Sequence, residues 1–243
     1  MRLCVGHESL IIIVMLMITL YHFSLSPFCR KVRVALAEKK LAFELVQESL
    51  CTPSDTLLAM NPTGTLPVLL DDTQEAENTA VLIHSATIVE YLEEVYPEHS
   101  LLKGGPAERA EARRLAAWFD ELFHAHVTSD LLSEKIEKRL NGAGAPDMNH
   151  VRWALDNIRG HIDYLSALVS ERRWMAGDYF SVADIAAAAH LSVLDYLGDM
   201  AWIHYPDAKD WYARIKSRPS FRALLNDQIP GMLPPRHYKD LDF

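Results

Sequence analysis

The stretch Asn61–Leu69 constrains the fold more than any other part of the sequence. It reads Asn-Pro-Thr-Gly-Thr-Leu-Pro-Val-Leu, so that two turn-forming pairs lead directly into an apolar run of strand type. Pro67 cannot donate a ladder hydrogen bond, which places it at a sheet edge, a bulge or a tight bend. If the Leu66–Pro67 bond is cis, the Leu66 N–H and C=O are free to bind an extended peptide. An ordinary loop-to-strand junction is the alternative.

Strand and helix patterns alternate on both sides of this turn. We predict strands at Ile18–His22, Phe43–Val46, Leu66–Leu70 and Ala80–Ile83, and helices at Pro27–Lys40 and Pro53–Met60. A third helix, capped by Ser85, is predicted to run to Tyr96. Ser26 is a good N-cap for the first helix, and Pro27 is a good first helical residue. The order β-α-β-α-β-β-α, with a parallel pair before a hairpin, is typical of a thioredoxin-like domain.

The composition changes after the linker Gly104-Gly105-Pro106. No strand pattern follows, and helical periodicity marks Glu108–Leu140, Met148–Leu168, Ser181–Leu197, Asp207–Lys216 and a last short helix from Ser220. We therefore predict a thioredoxin-like α/β domain over residues 17–103, an all-helical domain over residues 106–230, and a C-terminal tail over residues 231–243. Ser181 and Asp184 have the spacing of a capping box at the start of a central helix.

The first 16 residues are interpreted as an N-terminal extension. The apolar run Leu10–Leu20 is too short to span a bilayer, and no small-residue cleavage site follows it. Met15 and Met17 stand just before the first strand, so we expect the true start there and a soluble protein without membrane insertion.

Charge and cysteine content exclude some classes of protein. The net charge is −9 and no basic stripe offsets it, which argues against nucleic-acid binding. Basic residues do gather on the first helix, and their spacing indicates a solvated face: Arg30, Lys31, Arg33, Lys39 and Lys40. Three scattered cysteines imply no disulfide framework, and they fit a reducing cytosol.

Three motifs in order resemble the glutathione S-transferase superfamily. They are the thioredoxin-like half, the N-P-x-G-x-x-P-V turn ending at Val68, and the G-D-x-x-S-x-x-D box Gly177–Asp184. The resemblance implies the two-domain transferase fold, a cis bond before Pro67 and a buried N-cap at Ser181.

The same resemblance implies a glutathione-like site. The thiol would lie over the N-terminus of the first helix beside Ser26, with Ser24 as a second candidate, and the tripeptide backbone would pair with Leu66 before Pro67. Ser85 would hold the γ-glutamyl end, but His84 stands where Glu or Gln is expected. A neutral imidazole is a poorer partner for an ammonium group than a carboxylate, so this pocket is weakened. Cys29, one helical turn along, is expected to be buried.

The tail is the second candidate site. It is proline-led and polar, and its residues suit a short linear binding motif: Pro234, Pro235, His237, Tyr238, Asp240, Leu241, Asp242 and Phe243. A frayed terminus is the alternative. The tail together with Phe123–Thr128, Lys135–Leu140, Leu194–Asp199 and Lys209–Pro219 resembles the FzlA-type, transferase-like division proteins of α-proteobacteria.

That second resemblance implies a partner and a role. Such proteins are homodimers that bind the tubulin-like protein FtsZ, and they support constriction and septal wall synthesis without conjugation chemistry. We therefore hold two hypotheses. The first is a cytoplasmic FtsZ-binding protein at the division site, with the tail signalling to the wall-synthesis machinery and no cofactor. The second is a glutathione transferase acting on small electrophiles, in which Ser26 would be the catalytic residue.

A metal site is not predicted. His124 and His126 lie two residues apart, so on a helix they point to different faces, and no cysteine or carboxylate completes a ligand set.

Overall fold

The fold is described from a computed structural model, which covers residues 17–73 and 79–241. The predicted extension over residues 1–16 and the last two tail residues, Asp242 and Phe243, lie outside this description.

The N-terminal half is a four-stranded sheet with helices packed on it. Its strands are β1 (Ile18–His22), β2 (Phe43–Gln47), β3 (Val68–Asp71) and β4 (Ala80–Ile83), and its helices are α1 (Pro27–Glu38), α2 (Asp55–Met60) and α3 (Ser85–Val95). The strand order is β2-β1-β3-β4, with β1 parallel to β2 and the other two pairs antiparallel. Alternate side chains of β1, Ile18 and Leu20, are buried against Val32 and Leu36 of α1. The predicted thioredoxin-like order is confirmed.

The structure differs from the sequence-based prediction at the start of one strand and at the cap of one helix. β3 begins at Val68, two residues later than predicted, and Leu66 stays outside the ladder. Ser85 is the first residue of α3 and not its cap; His84 holds the cap position with a φ of 67° and no side-chain capping bond.

The C-terminal half is helical, as predicted. It consists of α4 (Pro106–Ala117), α5 (Ser129–Leu132), α6 (Lys138–Leu140), α7 (Met148–Glu171), α8 (Val182–Leu197), α9 (Pro206–Lys216) and α10 (Pro219–Arg222). Segments with π-type hydrogen bonding, Trp118–Thr128 and Ser133–Glu137, join α4, α5 and α6 into one continuous helix. Periodicity predicted the length of this helix but not its π-type turns, in which the hydrogen bonds span five residues where those of an α-helix span four. No helix within the described ranges is both long and apolar enough to cross a membrane.

Helix α8 forms the centre of the helical half, and its start confirms the predicted capping box. Ser181 donates its N–H to the Asp184 carboxylate at 3.0 Å, and the Ser181 hydroxyl oxygen accepts the Ala183 N–H. The same carboxylate accepts the Met175 N–H and the Trp211 indole N–H, both at 2.9 Å. Asp184 is fully buried, so these donors replace the water that a buried carboxylate loses.

The interpretation of α1 as carrying a solvated basic face is wrong. The side chains of Arg30, Lys31, Arg33 and Lys39 are all buried, and only Lys40 is exposed. Each buried cation has a carboxylate partner; Lys31 meets Asp120, for example, and Lys39 donates to Glu93 at 2.8 Å. Helical spacing reveals that charges share a face, but it does not reveal whether solvent or a second layer of protein covers that face.

Candidate functional site

The sheet register gathers the predicted glutathione-like residues at one edge. Tyr21 of β1 pairs with Val68 of β3, and Val68 pairs with Ile83 of β4. Three segments therefore meet at this edge of the sheet. They are the segment after β1, the two residues before β3 and the two residues after β4. In this way the fold brings Ser24 and Ser26, Leu66 and Pro67, and His84 and Ser85 to neighbouring positions.

Ser26 caps α1, as predicted. Its hydroxyl oxygen accepts the Cys29 N–H at 3.4 Å, and its side chain is buried. Ser24 is more exposed and donates its hydroxyl hydrogen to Gln47 of β2 at 2.8 Å. A thiolate bound here would lie at the positive end of the helix dipole, and the Ser26 hydroxyl, which caps the helix only as an acceptor, keeps its hydrogen for a second partner.

Cys29 is fully buried, as expected. Burial is the main cause that raises the pKa of its thiol to about 11, against the opposing effects of the Ser26 hydroxyl and the Phe23 N–H. Because the thiolate is the reactive form of cysteine, Cys29 is a packing residue and not a nucleophile.

The turn before β3 is held together by Asn61. Its side-chain amide donates to the Thr65 carbonyl at 2.9 Å, and its side-chain oxygen accepts the Thr63 hydroxyl at 2.8 Å. The Leu66–Pro67 bond is cis, as the resemblance implied. Within the described residues, the Leu66 N–H and C=O make no hydrogen bond, so they are available to an extended ligand.

The third part of the site departs most from a glutathione pocket. Ser85 is buried, while His84 is exposed with its backbone in the left-handed region. Neither side chain makes a hydrogen bond with another described residue. The main-chain part of the site thus suits a peptide, whereas the position that would hold a γ-glutamyl ammonium group has an imidazole in place of an acid.

An open cleft of about 560 Å³ lies at the domain boundary, and Ser24 is the predicted site residue that lines it. The thioredoxin-like half contributes Phe23, Ser24, Gln47 and Ser49–Thr52, and the helical half contributes Leu140, Asn141 and Gln228–Pro230. This lining contains no charged side chain. Amide and hydroxyl groups beside apolar surface suit a peptide or another neutral hydrogen-bonding ligand. Sequence reasoning missed Gln47 and Asn141, although Gln47 ends a strand whose carboxyl end faces the predicted site.

His124 and His126 contact different neighbouring side chains. The His124 Nδ1 lies 3.1 Å from the Thr128 hydroxyl, and the His126 Nδ1 lies 3.1 Å from the Nε2 of His161. Across the described ranges, no group of three or more His, Cys, Asp and Glu side chains is arranged to hold a metal ion.

The tail folds back onto the helical half, which corrects one expectation. A single 3-10 turn, Arg236–Lys239, places Tyr238 in the core with its ring packed against that of Tyr196. The His237 Nε2 lies 3.1 Å from the buried Asp195 carboxylate, and Lys216 donates to the His237 carbonyl at 3.2 Å. Tyr238 is therefore an anchor within the chain and cannot contact a partner in this conformation. The binding role predicted for the other tail residues stays a prediction.

Comparisons with known proteins agree with this architecture. The glutathione S-transferase N-terminal domain family matches residues 20–100, and the glutathione S-transferase C-terminal domain family matches residues 145–228. FtsZ-localized protein A of Caulobacter vibrioides is 47% identical over 225 residues, which cover 93% of this chain and 98% of that protein.

Two solved structures have the same fold over nearly the whole chain. The structure of FzlA from C. crescentus superimposes with a TM-score of 0.89 at 45% identity, over 93% of this chain and 100% of the other. A glutathione S-transferase from Rhodospirillum rubrum F11 superimposes with a TM-score of 0.87 at 51% identity, over the same shares of the two chains. On fold, family match and identity together, this chain belongs to the glutathione S-transferase family.

Proposed function

We propose that this protein associates with FtsZ at the division site and uses the transferase fold as a binding scaffold without conjugating glutathione. The observation that carries the proposal is the 47% identity to FtsZ-localized protein A along 98% of that protein. Family membership alone would not separate a binding protein from an enzyme, because one fold supports many functions.

The geometry of the glutathione-like site supports a binding role. Ser26 caps α1 as a hydrogen-bond acceptor, and His84 replaces the acid that would hold the ligand's ammonium group. The free main-chain groups of Leu66 and the neutral cleft remain, and both suit an extended polypeptide. The site thus keeps the features that bind peptide and lacks the acid that would hold the ammonium group of glutathione.

We place the FtsZ contact at the cleft between the two halves. The basic residues of α1 cannot attract an acidic partner, since their charges are already paired inside the protein. Leu140 of the cleft wall is partly exposed, as is Met148, which lies outside the cleft lining. Because FtsZ is expected to be acidic, a Leu140→Glu change should weaken binding by charge repulsion, whereas Met148→Glu should not.

The tail is proposed to act beyond FtsZ, on the septal wall-synthesis machinery. With Tyr238 anchored in the core, the exposed tail residues are those around it, including Leu233, Arg236 and Asp240.

Homodimers would present two copies of the FtsZ-binding surface, so that two weak contacts could bridge filaments by avidity in the cytoplasm. A variant that is monomeric by analytical ultracentrifugation yet bundles filaments as well as the parent would contradict this bridging role.

Co-sedimentation with polymerised FtsZ tests the proposal. Full-length protein should pellet with the polymers, Leu140→Glu should pellet less, and Met148→Glu should match the parent. Deleting residues 240–243 should leave FtsZ binding intact but fail to restore division in depleted cells. This short deletion is preferable to removing residues 231–243, which would take Tyr238 out of the core. Full-length protein that stays in the supernatant would remove the proposal.

Glutathione transfer is the second candidate function. It is favoured by the free Leu66 main chain and by Ser26 at the start of α1. Calorimetry with glutathione separates the two functions: a dissociation constant of about a millimolar or tighter, lost in Ser26→Ala, would support the enzyme. We expect no binding heat at concentrations several times above that value.

A further inference from the structure

Trp153 is the most exposed tryptophan of the chain, and it borders a cavity outside the cleft. Its side chain is 49% exposed, whereas the other four tryptophans are buried or half-buried. The open cavity of about 560 Å³ is also lined by Ala125, Asp130, Asn149 and His150, and we call these five residues the Trp153 site. None of them lines the cleft that carries the proposed FtsZ contact.

Asp130 gives the Trp153 site a carboxylate without a permanent cation. Its Oδ1 lies 3.5 Å from the Nδ1 of His150, which is charged only when it is protonated. Across the described ranges, no lysine or arginine nitrogen lies within 4.0 Å of this carboxylate, and the Asp130 side chain is 26% exposed. The nearby Arg152 donates to the Met148 carbonyl at 3.1 Å and to the Asn149 side-chain oxygen at 2.7 Å. The Asp130 carboxylate is therefore open to a cation from outside the protein.

The charges around the Trp153 site also favour a cation. Asp147 caps α7, and its carboxylate accepts the Asn149 N–H at 2.8 Å, so the positive end of this helix is already compensated. Asp156, one turn beyond Trp153 on α7, is exposed. The whole chain carries a net charge of −9, which attracts basic partners over a longer range.

The indole of Trp153 favours one type of cation. The His126 ring meets it at 88°, with 6.0 Å between ring centroids, and His126 is itself held by a contact of 3.1 Å to His161. A guanidinium group stacks on an indole while its N–H groups donate in its own plane to a carboxylate, whereas an ammonium group has no such plane. An indole and a carboxylate that line one cavity therefore suit arginine better than lysine.

We propose that the Trp153 site binds an arginine side chain from a basic segment of a partner protein. The guanidinium group would stack on the Trp153 ring and donate to the Asp130 carboxylate. This inference goes beyond FtsZ binding and does not depend on it, because it uses none of the cleft residues.

Nitrogen-15 NMR of the full-length protein tests the proposal with two matched peptides. The probes are acetyl-Gly-Arg-Gly-amide and the same peptide with citrulline, which has a similar shape but no charge. The arginine peptide should shift the Trp153 indole resonance, which is assigned by its absence in Trp153→Leu. The citrulline peptide should bind at least about fivefold more weakly, the loss expected for a partly exposed ion pair. Equal affinities for the two peptides would overturn the proposal.

Substitutions test the two contacts separately, with binding followed at the Asn149 backbone amide. Asp130→Asn should weaken binding of the arginine peptide about fivefold, and Trp153→Leu should weaken it about threefold through loss of the cation–π contact. The matched control is Asp163→Asn, because Asp163 is exposed on the same helix and pairs with Arg159 at 3.7 Å; this variant should bind as the parent does. An unchanged affinity in Asp130→Asn, or an equal loss in Asp163→Asn, would overturn the proposal.

A third variant places a competing cation inside the site. The His150 side chain is 59% exposed, so His150→Lys should fold normally even if Asp130→Asn does not. Its ammonium group would pair with Asp130, and binding of the arginine peptide should again be about fivefold weaker. An affinity equal to that of the parent would show that the Asp130 carboxylate does not hold the peptide.

A second copy of this chain is the alternative occupant of the Trp153 site. Analytical ultracentrifugation of the parent and of Trp153→Leu distinguishes it from a separate partner. We expect the same oligomeric state in both proteins. A loss of self-association in Trp153→Leu would overturn the assignment to a partner's basic segment and would make this face an interface between copies.

Discussion

Arg33 and Asp227 meet across the domain boundary through two hydrogen bonds, of 2.8 and 3.1 Å. Arg30 approaches the same carboxylate at 3.3 Å and also donates to the Ser192 hydroxyl at 2.7 Å. One carboxylate of the helical half thus contacts two buried cations of α1. The strongest basic cluster in the sequence therefore holds the two halves together and leaves no basic surface on this helix.

Asp227→Asn should destabilise the protein strongly. The change leaves two buried guanidinium groups without their anion, which costs about 3 kcal/mol of unfolding free energy. Urea unfolding followed by circular dichroism measures this loss. Glu90→Gln is the matched control, because Glu90 forms an exposed pair with Arg113 at 2.7 Å, and its loss should cost less than about 1 kcal/mol. Equal losses in the two variants would contradict an interface built on buried charge.

Glu38 should contribute stability that disappears in acid. Burial alone would raise the pKa of Glu38, but hydrogen bonds from Arg218 and Ser220 hold it below the ordinary value of 4.5. A carboxyl group whose pKa is lowered by folding stabilises the protein above its unfolded-state pKa, and this contribution is lost as the pH falls through the folded-state value.

The variant Glu38→Gln should consequently be about 2 kcal/mol less stable than the parent at neutral pH, with the gap closing below pH 4.5. Urea unfolding across a pH series gives both curves, and the exposed Glu94→Gln provides the control. A gap that stays constant down to the lowest pH would show that Glu38 contributes by packing and not by charge.

Tyr238 should anchor the tail. Tyr238→Ala removes a ring that is 0% exposed and should cost about 3 kcal/mol. Tyr238→Phe, which keeps the ring but loses the hydroxyl bond to the Leu224 carbonyl, should cost about 1 kcal/mol. Leu233→Ala should cost almost nothing, since Leu233 is 85% exposed. Hydrogen exchange at residues 236–239 should be fast only in Tyr238→Ala; slow exchange there would mean that other contacts hold the tail.

Cysteine modification should separate buried from accessible thiols. With a pKa of about 11 and no exposure, Cys29 should remain unmodified in the folded protein, whereas the partly exposed Cys51 should react. Peptide mapping after iodoacetamide treatment, with and without denaturant, measures both sites. Rapid modification of Cys29 under native conditions would show that the start of α1 opens readily.

Much of the fold could be predicted from local chemistry. Ser26 followed by Pro27 marked the start of α1, and the spacing of Ser181 and Asp184 marked the start of α8. In each case the signal lies within a few residues and depends on satisfying free backbone N–H groups, so the sequence alone carries it. The cis bond before Pro67 was implied only by the family resemblance.

The candidate sites were less predictable. The sheet edge that unites Ser26, Leu66 and Ser85 followed from the strand order. The buried contact of 3.0 Å between the Thr128 hydroxyl and the His190 Nδ1 did not, because the two residues lie 62 positions apart in the sequence. His190, which directly follows the four alanines Ala186–Ala189 of α8, was the available signal for this contact, and sequence reasoning did not use it.

The sequence by itself determined which segments become strands and helices, since capping, turn chemistry and apolar periodicity act between residues close along the chain. Only the tertiary structure decided which charged and polar groups are buried. Arg33, predicted to face solvent, pairs with Asp227, and Tyr238, predicted to reach a partner, packs on Tyr196. The physical reason is that a cation or a tyrosine hydroxyl is hydrated when it is exposed, and it can be buried where a hydrogen-bonding partner replaces that water. That partner is supplied by residues far away in the sequence.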